Sequence, residues 1–199
     1  MSIEKNILEE DLLRADMYEF ISNLLKVEPT EDLVKMISKL QTDDTGIGKN
    51  IQTLSLLAKK MSVSQIKEEY FSLFIGVGRG ELLPYASYYL TGFLNEKPLA
   101  NLRQDMQMIG IKRNDNVKEP EDHISILFDM MSGLIRGNFN NRYFSLSEQY
   151  TFFKKHIEPW SEHFFQDLEV SKNAVFYSPV GTIGKNFLSI EIESFKMEK

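Results

Sequence analysis

Apolar residues recur along this chain at intervals of three and four, the spacing of one buried helical face. Leu8, Leu12, Ile21 and Leu25 share such a face, with Leu13, Met17, Phe20 and Leu24 beside them. Glu28-Pro29 ends that run, because the residue before proline avoids helical torsion angles. Thr30 is placed to cap the next helix, with Glu31 and Asp32 in its first turn and Leu33, Ile37 and Leu40 facing inward. After a polar, glycine-containing loop at 41–48, Ile51, Leu54, Ala58 and Met61 form a third stripe. Ser62 with Gln65 makes a capping box ahead of Ile66, Tyr70 and Phe74, and Gly76 suits the end of that helix.

Residues 76–84 hold three glycines and a proline and read as a surface loop. Helix resumes from Ser87 to Glu96, and Leu99, Leu102, Met106 and Ile109 form the next stripe, closed by Gly110. A polar segment ends in Glu119-Pro120, and Ile124, Leu127, Met131 and Ile135 then predict a helix that stops near Gly137. Ser145 and Glu148 form a second capping box before Phe153, Ile157, Trp160, Phe164 and Leu168. Pro159 marks a kink or the first turn of a new helix. Phe176, Val180, Ile183, Phe187 and Ile190 keep a helical period, although Pro179, Gly181 and Gly184 weaken it. No convincing strand alternation appears, so the predicted fold is an all-α helical bundle. It is read as a single domain over 1–199, with a weak boundary at 137–144 that can divide a larger N-terminal lobe (1–137) from a smaller C-terminal one (145–199).

Composition narrows the function. Hydrophobic residues make up 42% and charged residues 26%, which supplies a sizeable core. The chain has no cysteine, which excludes a disulfide framework, a catalytic thiol, a zinc ribbon and an iron–sulfur site. Met1 to Lys5 lead into no apolar signal-peptide core, and no apolar run is long enough to span a bilayer, so the chain reads as cytoplasmic without stable membrane insertion. A net charge of −6 disfavours nucleic acid and anionic membranes and leans toward a basic ligand.

Two stretches depart from core patterning. The first runs from Glu81 through Pro84, Tyr85, Ser87 and Tyr89 to Leu90; the second is Glu119-Pro120-Glu121-Asp122-His123-Ile124. In the first, a plain turn with Ser87 as helix cap competes with a peptide groove, because tyrosines join a large apolar face to a hydroxyl. In the second, a helix N-terminus with Pro120 near its first turn competes with an acidic patch at a loop tip, able to grip arginines in bidentate pairs. Asp122 beside His123 also resembles half of a metal site, which keeps a metal-dependent hydrolase as an alternative; His156 and His163 flank a packed face around Trp160. No HExxH set, phosphate loop or G-x-S-x-G elbow supports catalysis, and no metal or cofactor is expected. Gly46-Ile47-Gly48-Lys49 and Gly181-Thr182-Ile183-Gly184-Lys185 lack the phosphate-loop spacing.

Taken together, four segments resemble the TorD/DmsD/NarJ family of redox-enzyme maturation chaperones. They are Tyr70-Phe71-Ser72-Leu73-Phe74-Ile75-Gly76-Val77-Gly78, Pro84-Tyr85-Ala86-Ser87-Tyr88-Tyr89-Leu90, Glu119 to Ile124, and His156-Ile157-Glu158-Pro159-Trp160 with Phe164. The resemblance implies an all-α cytoplasmic chaperone that binds the twin-arginine signal peptide and the apo form of a molybdoenzyme catalytic subunit. It would delay export until the molybdenum cofactor is inserted and catalyse nothing itself. Pro84, Tyr85, Ser87, Tyr89, Glu119, Pro120, Glu121, Asp122 and His123 are the signal- or client-binding residues so implied. The client is a dimethyl sulfoxide, trimethylamine N-oxide or nitrate reductase, a formate dehydrogenase or a relative of these. The assembly is a monomer or a lobe-swapped dimer. A non-chaperone helical adaptor is the third reading.

Overall fold

A computed structural model describes residues 8–113, 116–140 and 142–197, so the expectation for Met1 to Lys5 lies outside the described residues. Ten α-helices fill it: α1 (Glu9–Leu25), α2 (Glu31–Ile37), α3 (Gly46–Lys60), α4 (Val63–Tyr70), α5 (Ala86–Thr91), α6 (Lys97–Ile109), α7 (Ile124–Arg136), α8 (Leu146–His156), α9 (Glu158–Val170) and α10 (Ser178–Met197). Among the described residues the sole β feature is one antiparallel bridge, Tyr85 to His123. The all-α expectation holds.

Local signals set most helix ends. The Thr30 side chain accepts from Leu33 N, and both capping boxes form, Ser62 with Gln65 and Ser145 with Glu148. Pro159 sits in the first turn of α9, where its missing N–H leaves nothing unpaired. After Tyr70 the helix widens into one π-turn, Phe71–Ile75, which ends when Gly76 N donates to Phe71 O at φ 62°.

α7 is the central helix, with ten buried residues, and α1 packs along it. Tyr18 of α1 lies edge-on between Phe128 and Phe187, at 5.0 and 4.7 Å between ring centres. α10 packs on α9 and α3. Gly181 and Gly184 make the first contact close. A Cβ on Gly181 would meet the backbone of Phe165 and Glu169, and one on Gly184 would meet the Phe165 ring. The two glycines that weaken α10 as an isolated helix therefore serve its packing.

Three expectations need correction. The buried stripe of α1 begins at Ala15, and Leu8 and Leu13 are 67% and 60% exposed, with Leu12 exposed too. These leucines precede the stripe; at its edge the polar Arg14 turns to Glu191 of α10. Ile190 is 54% exposed, because the inner face of α10 passes through Phe187, Leu188, Glu191 and Phe195. Burial of Glu191 is tolerated because Arg14 Nε and Nη2 donate to its two oxygens at 2.7 and 2.9 Å, and the Tyr18 hydroxyl donates at 2.8 Å. α5 spans Ala86–Thr91 rather than 87–96, since Gly92 turns left-handed at φ 82°. Pro120, Glu121 and Asp122 lie just ahead of α7, whose N-cap is His123.

Candidate functional site

The two unusual stretches meet. Ala86 N donates to Asp122 O at 3.0 Å, and Ile124 N donates to Pro84 O at 2.9 Å, so residues 84–86 and 122–124 pair like two short antiparallel strands. The Tyr85 and His123 rings stand edge to face at 5.1 Å. The Tyr85 hydroxyl donates to the Glu119 carboxylate, and burial together with that bond holds the phenol well above its ordinary range.

Ser87 does not cap α5; its amide is itself capped. Ser87 N donates to Asp122 Oδ2 at 2.8 Å, so a carboxylate from 35 residues away sits at the positive end of α5. Asp122 is 1% exposed, and its other oxygen, Oδ1, has no hydrogen-bond partner among the described residues. His123 caps α7: its Nδ1 accepts from Ser125 N at 3.2 Å and lies 2.7 Å from Ser125 Oγ. Burial pushes the imidazole down to about 3, so it stays neutral with Nδ1 as acceptor.

The acidic patch expected at 119–122 does not exist as such. Glu121 is buried and accepts from Arg103 Nε and Nη2 at 2.9 and 2.7 Å, with Arg113 3.6 Å away. Burial raises its pKa, but the two guanidiniums outweigh burial and hold it below the usual range. Tyr89 also leaves the group. It lies 5.5 Å from the Trp160 ring, and its hydroxyl donates to Asp167 of α9 at 2.9 Å. Pro84 is buried, and Glu119 and Pro120 are half-buried beside Tyr85.

Asp122 lines a cavity of about 100 Å³ shared with Ala86, Leu90, Pro98, Asn101, Lys155 and His156. The sequence pattern singles out neither Asn101 nor Lys155, and it sets His156 beside Trp160 rather than beside Asp122. The closest signal was the last-turn pair Lys155-His156, and it gave no hint of its partner, Asp105. Asp105 Oδ2 takes both Lys155 Nζ at 2.5 Å and His156 Nε2 at 2.7 Å. Burial lowers the His156 pKa despite that carboxylate, whereas Asp105 is held low because its two partners outweigh its own desolvation. Among the described residues no three His, Cys, Asp or Glu side chains are grouped to hold a metal. No described helix is long and apolar enough to cross a membrane.

This bundle matches the architecture of a protein from Archaeoglobus fulgidus described as a redox enzyme maturation protein. The TM-score is 0.60 at 20% identity, over 94% of this chain and 99% of the other. The Chaperone protein TorD of Aliivibrio fischeri is 26% identical over 203 residues, covering 90% of this chain and 93% of the relative. The Chaperone protein TorD of Vibrio cholerae El Tor Inaba N16961 is 29% identical over 179 residues, 80% of each chain. Both of these relatives are chaperones. The sequence model of the nitrate reductase delta subunit family matches residues 40–166, and this chain belongs to that TorD/NarJ family.

Proposed function

We propose that the protein is a cytoplasmic, client-specific chaperone that binds the twin-arginine signal peptide of an apo molybdoenzyme and delays its export until the cofactor is inserted, without catalysing a reaction. One observation carries the reading: Asp122 keeps a buried carboxylate oxygen without a partner among the described residues while lining a cavity. An unpaired buried acceptor costs free energy, and a guanidinium donor entering the cavity would recover it. Lys155 in the same wall offers little opposition, because Asp105 already holds its charge. Leu90 in the cavity wall is exposed and gives it an apolar edge.

Calorimetric titration of the full chain with synthetic signal peptides from the molybdoenzymes of its host tests this. Saturable binding of one peptide, lost when both arginines become glutamine, is the expected result. No binding to any of them, with the protein folded, would move recognition to the mature client and overturn the reading.

A further inference from the structure

Lys155 stands between two carboxylates and is bonded to one of them. It lines the cavity of about 100 Å³ that holds Asp122, and also a second cavity of about 320 Å³ whose wall includes Asp105. Of these two cavities, Asp122 lines the first and Asp105 the second, so the lysine is a partition with an acid on either side. Its Nζ sits 2.5 Å from Asp105 Oδ2, while Asp122 Oδ1 on the other side has no partner among the described residues.

Attraction alone does not explain that choice. At Asp105 the lysine side chain is 50% exposed and keeps part of its water. Moving to Asp122 would satisfy a buried acceptor but strip the ammonium of most of its hydration. The two gains oppose each other, and the anchoring of Asp105 decides between them. Asp105 Oδ2 is also 2.7 Å from His156 Nε2. That imidazole is buried, its ring lies 5.0 Å from the Phe152 ring, and the His156 carbonyl accepts from Trp160 Nε1 at 2.8 Å. His156 is thus fixed, and it fixes the carboxylate it touches. Lys155 is the mobile member, because a flexible four-carbon stem with three donors can turn to either side.

We propose that Asp105 is a positioning residue for the Asp122 site: it holds the Lys155 ammonium out of the first cavity and so keeps the lysine from becoming the internal counter-ion of Asp122. Without that hold, Lys155 closes the site against an incoming cation. The consequence for a ligand rests on the role given to Asp122 above, whereas the lysine's choice between two carboxylates is a property of the free chain.

Two measurements separate these parts. The first needs no ligand. Acetylation of Lys155 by acetic anhydride is followed by mass spectrometry in the full chain, in Asp105→Asn, and in Asp105→Asn combined with Asp122→Asn. Asparagine keeps the shape and an acceptor for His156 but not the charge that holds the ammonium. Asp105→Ser is run beside it as a second way of removing that charge, and thermal melts show which variants are folded. Lys155 should react several-fold more slowly once Asp105 is replaced, because an ammonium paired inside the cavity is shielded from the reagent. Adding Asp122→Asn should restore the rate. A rate unchanged or raised by loss of Asp105, or a slowing that survives Asp122→Asn, would overturn the proposal.

The second measurement titrates the chain with N-acetyl-Arg-Arg amide, followed by NMR. Asp105→Asn should weaken this probe about tenfold in the native background and less than about twofold in the Lys155→Met background. Equal losses in both backgrounds would mean that Asp105 acts only through its own field, and the positioning role would be wrong. If the folded wild-type chain does not bind the probe while Lys155 is protected as expected, the Asp122 reading falls and the placement of Lys155 stands.

Discussion

Asp122→Asn separates scaffold from site more cleanly than any other single change. Asp122 uses Oδ2 to cap α5 through Ser87 N at 2.8 Å, and Oδ1 is uncommitted. Asparagine has the same shape, so its carbonyl can keep the Ser87 bond while its amide occupies the other place. The folded state then loses only the favourable charge at the α5 N-terminus, about 0.3–1 kcal/mol. For a chain of this size that lowers Tm by about 1–4 °C. Binding should suffer far more. Removing one partner of a buried charge-assisted pair costs about 2–5 kcal/mol, or from about thirtyfold to several-thousandfold in affinity. The cavity opens to solvent, which points to the lower end of that range. Calorimetry at two salt concentrations gives affinity, and thermal melts by circular dichroism give stability. Asp122→Ala is the poorer probe, because it also strands the Ser87 amide at a further cost of about 1–3 kcal/mol. If Asp122→Asn loses stability yet binds the signal peptide within about threefold of wild type, the carboxylate is scaffold alone and the reasoning fails.

Three further outcomes follow from other buried ionisable groups. Arg14→Leu leaves Glu191, fully buried, with only the Tyr18 hydroxyl; about 3–5 kcal/mol should be lost in urea melts and largely restored by adding Glu191→Leu, and a loss under 1 kcal/mol would contradict the pairing. Glu69 accepts from Val175 N, Phe176 N and Tyr177 N at 2.8, 3.0 and 2.8 Å, which ties α4 to the turn before α10. Glu69→Gln turns one acceptor into a donor facing an amide, so a drop of about 1–3 kcal/mol is expected in the same assay. His123 is held neutral with its pKa pushed down to about 3, so below the unfolded value of 6.5 the unfolded chain binds the extra proton. Stability from this residue is therefore intact above pH 6.5 and falls as pH drops toward 3, by about 2 kcal/mol at pH 5. Urea melts from pH 7.5 to 5 should show the slope, and His123→Gln should flatten it.

What the sequence revealed and what it hid divide along contact distance. Thr30, Ser62 with Gln65, and Ser145 with Glu148 act on amides three residues away, so the pattern contains both partners. The stripes through Leu54, Met106, Met131 and Phe164 are local in the same sense. The roles of the buried carboxylates are not. Glu191 is defined by Arg14, 177 positions earlier, and Glu69 by amides more than 100 positions later. Each looks like an ordinary surface residue until the helices assemble. The Asp122 motif was legible as a departure from core patterning, but its geometry was not, because the carboxylate caps a helix 35 positions upstream. The pairing of Asp105 with His156 was hidden for the same reason, because the two lie 51 positions apart.

The turn that leads into α7 also bears on why three carboxylates within four residues amount to one available oxygen. Glu121 and Asp122 are its two middle residues, and His123 N closes it by donating to Pro120 O at 3.1 Å. Glu121 lines one cavity, with Arg113 and Met106, and Asp122 lines another, with Asn101 and His156. Glu119 is bonded to Tyr85, and Glu121 to Arg103. An incoming arginine would have to break an existing pair to reach either of them, which gives back most of what the new pair gains. At Asp122 Oδ1 nothing has to be broken, and the other oxygen of the same carboxylate is fixed by α5. The group that would meet the ligand is thus held in place before the ligand arrives, and little ordering remains to oppose binding.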